Sequence, residues 1–231
     1  MNTKEFESRV LVEIQGVIES IVRANPVLPI SARARAGAEI SDYLEDEFVR
    51  ATAEHPYFRN STGAEKGDTK SRWDARTFFQ LGDHREELWL DFKTTKAGSS
   101  GSNPNMGTPD KIMNWINSGG CYLTYVTLSY RSLGTQLEFV KQKSGEYANV
   151  YFLKDISRTV FRSSINQLQV DAKAHSEYRT RDEFISLLLE KMATSYTKQI
   201  QALQNKLGAL PSKEGPLRAA NALSESALLG I

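Results

Sequence analysis

A single cysteine, Cys121, stands among 231 residues. One thiol closes no intrachain disulfide and builds no cysteine-based zinc site. At the head of the apolar run CYLTYVTLSY (121–130) it reads as a small buried hydrophobe. Histidine is scarce as well: His55, His84 and His175 fall in an arm, a turn and a loop. No two have metal-ligand spacing, which argues against a histidine metal centre and leaves all three as surface residues. No run of about 18 apolar residues occurs and no charged-then-apolar leader opens the chain, so neither a membrane span nor a secretory signal is expected. The expected compartment is the cytoplasm. A glycine loop followed by Lys-Ser or Lys-Thr is also missing, which disfavours a nucleotide-driven motor.

Charge of one sign is nearly absent in sum. A net charge of +1 argues against a protein that coats nucleic acid indiscriminately, because sequence-independent binding needs many phosphate contacts. It leaves room for a DNA enzyme whose acidic groups cancel a basic cleft. The positive charge is locally clustered at Arg33 and Arg35, from Lys66 to Arg76, and at Arg179 and Arg181. Each cluster reads equally well as a solvated face.

With 40% hydrophobic and 25% charged residues, the chain has the composition of an ordinary globular protein. We expect one domain over residues 1–209 and a partly ordered tail over 210–231, with no internal repeat and no second core. Phe6, Val10, Ile14, Val17, Ile18 and Ile21 recur at helical spacing and predict a packing helix over 5–24, ending before Pro26. A second helix is expected from about Ser31 to Ala53, burying Ile40, Tyr43, Leu44 and Phe48. Its acids Asp42 and Asp46 read as the wet face, while Glu39 is a candidate additional acid for a site elsewhere. Residues 55–71 are polar and turn-rich, hence a loop or arm. Thr108 and Pro109 read as N-cap and first residue of a short helix stopped at Gly119 and Gly120. Strands follow at 121–130, 135–141 and 148–154. Thr180 with Glu183 forms a capping box for a long helix from Arg181, with Phe184, Leu187, Leu188, Tyr196 and Ile200 as its apolar stripe. The order of elements is α/β.

The chemistry sits between residues 72 and 96, in RWDARTFFQLGDHREELWLDFKTTK. Side chains alternate across a strand, so in LWLDFKT Asp91 and Lys93 share one face and Leu88, Leu90 and Phe92 the other. A turn at Gly82 and Asp83 folds the preceding strand back and brings Asp74 to the same place. Two carboxylates and a lysine there match the needs of phosphodiester hydrolysis: carboxylates hold a divalent cation, and an ammonium binds water and phosphate. Neighbouring carboxylates favour the charged ammonium, so Lys93 is expected to position rather than to abstract a proton. The bare pattern of Asp, gap, Asp-x-Lys also fits a solvated hairpin with an ion pair. Context favours the site: the strand has an apolar back, Trp73 and Trp89 flank the acids, and a Gly/Ser/Asn-rich loop follows directly.

The segments GAEISDYLEDEFV (37–49), WDAR (73–76), LWLDFK (88–93), NPNMGTPDKI (103–112), VYFLKDI (150–156) and YRTRDEFI (178–185) resemble, in order and spacing, the SwaI-like Type II restriction endonucleases. These belong to the PD-(D/E)xK nuclease superfamily. The resemblance covers most of the chain to about residue 200 and implies the superfamily's mixed sheet flanked by helices. It implies a homodimer with one active site per strand, Mg2+ as cofactor and double-stranded DNA as substrate. The target would be an AT-rich eight-base-pair palindrome with a TTTAAA centre, ATTTAAAT or GTTTAAAC, cut to blunt ends. A cognate DNA methyltransferase would act in the same system. Residue by residue, Asp74 matches the first acid, Asp91 the second and Lys93 the lysine, with the backbone carbonyl of Phe92 as a further metal ligand. Trp73 departs from the motif's proline. For such a target the expected phosphate contacts are Lys70, Arg72, Arg76 and Lys96. The candidate base readers are Ser102, Asn103, Asn105, Asn166, Gln167 and Gln169, since Asn and Gln pair bidentately with adenine; loop hydration or local capping is the plainer role for each. The rival readings are a structure-selective or repair nuclease of the same superfamily, and a binding module without activity.

Overall fold

The structure is a computed structural model that describes residues 1–30, 36–65, 71, 73–98, 105–118, 122–156, 159–162, 167–170 and 176–210, with backbone alone for 159–162 and 170. Among the described residues, four helices, α1 (Thr3–Ala24), α2 (Ala36–Thr52), α3 (Pro109–Asn117) and α4 (Arg181–Gly208), accompany ten strands. The strands are β1 (Val27–Leu28), β2 (Phe58–Gly63), β3 (Ala75–Leu81), β4 (His84–Lys96), β5 (Asn105–Gly107), β6 (Tyr122–Leu133), β7 (Gln136–Val140), β8 (Ala148–Phe152), β9 (Thr159–Arg162) and β10 (Gln167–Val170). The architecture is the expected α/β one, a mixed sheet flanked by helices.

β4 is the spine of the main sheet. It pairs antiparallel with β3 around Gly82, whose φ of 61° suits glycine in a tight hairpin. On its other side it pairs parallel with β6, from Leu88 opposite Tyr122 to Lys96 opposite Tyr130, with α3 in the crossover. The far edge of β6 is covered in two halves, residues 124–128 by β8 and 129–133 by β7. The turn at Gly145 therefore joins no hairpin; it carries the chain outward between two strands that run the same way. β1 and β2 close the ends, giving the order β1-β7-β6-β4-β3-β2, and a smaller sheet has the order β5-β10-β9.

The apolar residues form two clusters among the described residues. One holds Ile14, Ile18, Leu44, Phe48, Leu88, Leu90 and Phe92 beneath α1 and α2. The other holds Trp89, Met106, Ile112, Trp115, Tyr125, Leu168, Phe184 and Leu188 under α3, α4 and the small sheet. Both faces of the central strands are thus covered, as parallel pairing at a sheet centre requires.

Four local expectations are corrected. Residues 58–63, expected as loop, form β2 against β3. Its only fully buried side chain is Phe58, edge-on to Phe48 and Phe79; an edge strand with one anchor has a loop's composition. α1 begins two residues early because Asn2 and Glu5 make a reciprocal capping box. On α4 only Phe184, Leu188 and Ser195 are buried, and Tyr196 and Ile200, expected in the packed stripe, are exposed. The start of the second helix at 31–35, Cys121, the Gly119–Gly120 stop, His175 and the tail from 211 lie outside the described residues. His55 is half-buried, its ring 4.8 Å from Phe58, and so is no surface residue.

One buried charge joins the two ends of the chain. Lys154, in the 3-10 turn after β8, places Nζ 2.9 Å from Glu7 Oε2 on α1 and 2.8 Å from Asp155 Oδ1, and donates to the Arg179 carbonyl at 2.7 Å. The Tyr178 ring lies 4.3 Å away. Lys154→Ala would leave two buried carboxylates facing each other, so unfolding in urea should show a loss of about 3–5 kcal/mol. A loss below about 1 kcal/mol, the level of a surface pair, would contradict the role given to Lys154.

Candidate active site

β3 begins at Ala75 but β4 runs on past its partner, to Lys96. Beyond Leu90 the β3-side backbone groups of β4 therefore face no strand. Asp74, one residue ahead of β3, fills that gap. Its own N–H donates to Leu90 O at 2.9 Å and its carbonyl accepts from Ala64 N at 2.9 Å, so its backbone is pinned from both sides. Its carboxylate Oδ2 accepts from the Phe92 N–H at 2.7 Å. A side chain here replaces a ladder bond.

Asp91 and Lys93 project from the face expected, with Lys93 Nζ 2.6 Å from Asp91 Oδ1. That oxygen is sealed from solvent and has no other hydrogen-bond partner among the described residues. Burial raises the Asp91 carboxyl from 3.8 to about 6, opposed by the Lys93 charge and reinforced by Asp74, which also shares a hydrogen bond with it. Opposite Asp91 on β6 is Tyr125, whose phenol burial, then the Asp91 charge, holds well above its ordinary value. Its hydroxyl donates to Met106 O at 3.2 Å and ties β5 to β6, the parallel neighbour of β4.

α2 supplies the rest of the wall. Gly37 lies close enough for Thr94 Oγ1 to donate to its carbonyl at 3.4 Å, and a Cβ there would sit 3.2 Å from that hydroxyl. One turn on, the Ser41 hydroxyl lies 3.2 Å from Asp74 Oδ2 and 3.3 Å from the Phe92 carbonyl oxygen, with geometry for donating to either. Another turn on is Glu45, raised from 4.5 to about 7 by burial first and then by Asp74, Asp46 and Asp42. Its carboxylate rests on Gly63, where a Cβ would come within 2.2 Å of Oε1.

The acid that α2 turns toward Asp74 is therefore Glu45 and not Glu39, which is exposed. Helix geometry gives the reason. Four residues from Ser41 is about 40° round the axis and two residues is about 160° away from it. The signal was the spacing Gly37, Ser41, Glu45, obscured in the sequence by five acids on one helix.

The remaining candidates scatter. Arg76 lies over Trp73 at 5.3 Å with Nε 3.6 Å from Glu87 Oε1, in a row with Trp89 and Trp115. Lys96 is exposed at the far end of β4. Asn105 and Gln169 are brought together: Gln169 Nε2 donates to Asn105 Oδ1 at 2.8 Å across paired strands. Gln167 is half-buried beside them on β10. Lys70, Arg72, Ser102, Asn103 and Asn166 lie outside the described residues.

Among the described residues no three acids, histidines or cysteines form a closed ligand set. What stands ready is Asp74, Asp91 and the Phe92 carbonyl, all hard oxygens, around a sealed carboxylate oxygen. That donor set suits a cation that keeps several of its own waters, as Mg2+ does.

Compared with known proteins, the chain matches a SwaI-like family model, described as SwaI restriction endonuclease, over residues 2–210. A search of curated proteins finds no match.

The site's charge sets a pH dependence. The folded state holds the Asp91 and Glu45 protons more tightly than the unfolded chain does, so the stability they contribute is present below pH 3.8 to 4.5. It is lost as pH rises through about 6 and about 7. Asp91→Asn should therefore flatten the fall in melting temperature of the metal-free protein between pH 4 and pH 7. Added Mg2+ should raise the wild-type melting temperature more at pH 7.5 than at pH 5.5. Equal shifts at both values would show that these carboxyls do not bind the ion.

Proposed function

The chain belongs to the SwaI restriction endonuclease family and is a site-specific deoxyribonuclease, and from that premise we propose that it hydrolyses both strands of duplex DNA, with Mg2+, as a homodimer at an AT-rich octamer with a TTTAAA centre. ATTTAAAT and GTTTAAAC are the two forms of the site, and cutting at the centre leaves blunt ends. The convergence of Asp74, Asp91 and Lys93 at the point where β4 outruns β3 carries this reading. A methyltransferase that protects the same sequence belongs to the system as a separate protein.

Asp74, Asp91 and the Phe92 carbonyl are the ligands we assign to Mg2+, which when bound polarises the scissile phosphate and lowers the pKa of water. Lys93, held against Asp91, orients water and a phosphate oxygen through its ammonium protons. Ser41 fixes the Asp74 carboxylate and the Phe92 carbonyl relative to each other. Glu45 places a third, readily protonated acid behind Asp74. Arg76 and Lys96, with Lys70 and Arg72, are assigned to the phosphate backbone.

Asn105 is the base reader that the geometry supports best. Gln169 is buried and donates to Asn105 Oδ1, which sets the amide's direction and leaves the exposed Asn105 its NH2 protons and one oxygen lone pair. That is the donor and acceptor pair adenine requires. The Tyr125 bond to Met106 holds this reader at a fixed offset from Asp91.

Digestion of long linear DNA of known sequence with Mg2+, followed by sequencing of the ends, should place every end at the middle of one AT-rich octamer and supply its outer base pair. Scattered ends would favour the repair-nuclease reading. Asp91→Ala and Lys93→Ala should each abolish cutting while the protein stays folded and still binds duplex DNA; near-normal cutting by either would sink the site. Asn105→Ala should slow cleavage of the intact octamer by about 10- to 100-fold, the worth of one bidentate contact, without weakening binding to unrelated DNA.

A further inference from the structure

α4 has two faces with different fates. Phe184, Leu188, Met192 and Ser195 lie along one line and pack onto α3 and the second cluster. From Tyr196 to Leu210 every described residue is exposed except Gln199, which is half-buried. This last part is about 20 Å of helix at 1.5 Å per residue, held at its start by the Tyr196 hydroxyl on Asp110 of α3 and largely exposed beyond it. Isolated helices of this length are marginal in water, and most helical stability in proteins comes from packing an apolar face.

The arm has such a face with nothing among the described residues covering it. Ile200, Leu203, Leu207 and Leu210 are 56%, 59%, 67% and 66% exposed. Their spacing alternates three and four residues and continues backward through Tyr196, Ala193 and the exposed Leu189, which is the a/d pattern of a coiled-coil seam. At about 100° per residue this stripe lies about a quarter turn from the packed line. It is a separate surface and not an extension of the core.

We propose that this stripe docks against the same stripe of a second copy of the chain, forming a two-helix seam. Charge favours this occupant. Of the positions flanking the stripe on the arm, Thr197, Gln199 and Gln204 are uncharged and Lys206 alone is charged; in a parallel pair the two Lys206 side chains do not face each other, while Lys191 and Lys198 lie on the opposite side of the helix. A phosphate backbone would call for the lysines to line the contact surface. The family match over residues 2–210 includes the arm. The inference rests on the homodimer reading above for its purpose, the pairing of two active sites, and is tested without DNA so that the two can fail separately.

The test is sedimentation of the full chain, metal-free and DNA-free, at micromolar concentration. Wild type should sediment as a dimer, and the double substitution Leu203→Glu, Leu207→Glu should raise the dimer dissociation constant by about 100-fold or more. At dilutions where wild type is also dissociated its melting temperature should match wild type, because neither side chain is in a core. Should the double variant melt early, Leu207→Glu alone carries the same test. Lys198→Glu, on the far side, should change nothing. A wild type that is monomeric, or that pairs only on DNA, overturns the proposal; so does a double variant that dimerises as well as wild type. A dimer that meets these expectations but cuts no DNA upholds the seam and overturns the nuclease reading instead.

Discussion

The 2.7 Å hydrogen bond from the Phe92 N–H to the Asp74 carboxylate is the contact on which the rest of the site depends. A sheet ordinarily answers a strand's backbone groups with another strand. Here β3 stops one residue short, and an acid takes over the partner's role. Because that acid is anchored through its own backbone to both Leu90 and Ala64, it has little freedom to leave. The ladder vacancy also turns the Phe92 carbonyl toward the same spot, where Ser41 reaches it. A carboxylate, a carbonyl and, on the adjoining face, Asp91 and Lys93 are gathered by strand geometry alone.

Charge accumulates as a consequence. Asp74, Asp91 and Glu45 press on one another from the sheet and from α2, and the protonation of two of them is shifted toward neutral pH. The fold tolerates this because rigid elements on both sides prevent the acids from separating. The Asp91 Oδ1 is closed off from solvent, and the Tyr125 bond to Met106 ties β6 to β5 and its Asn105–Gln169 pair. The acids proposed to bind metal and the proposed base reader thus hang on two sheets joined through Tyr125.

Much of this was legible in the sequence. Period-two alternation put Asp91 with Lys93 and opposite Leu90 and Phe92, and a glycine turn brought Asp74 back, because those rules are local. Glu45 was not legible. Its selection from among Glu39, Asp42, Glu45, Asp46 and Glu47 depends on where α2 docks, and the docking is set by the close approach of Gly37 to Thr94. β2 has a loop's composition because an edge strand needs only Phe58 to be apolar. Tyr196 and Ile200 have the spacing of core positions, because an exposed apolar stripe and a buried one share the same period.

The central claim is that Asp74, Asp91 and the Phe92 carbonyl gather around a divalent cation. Anomalous diffraction from crystals grown with Mn2+ in place of Mg2+ tests it most directly. A single strong peak within bonding distance of both carboxylates and that carbonyl is the result expected, and it should vanish in Asp74→Asn. A peak held by other groups, or none at a concentration that supports cleavage, would contradict the account.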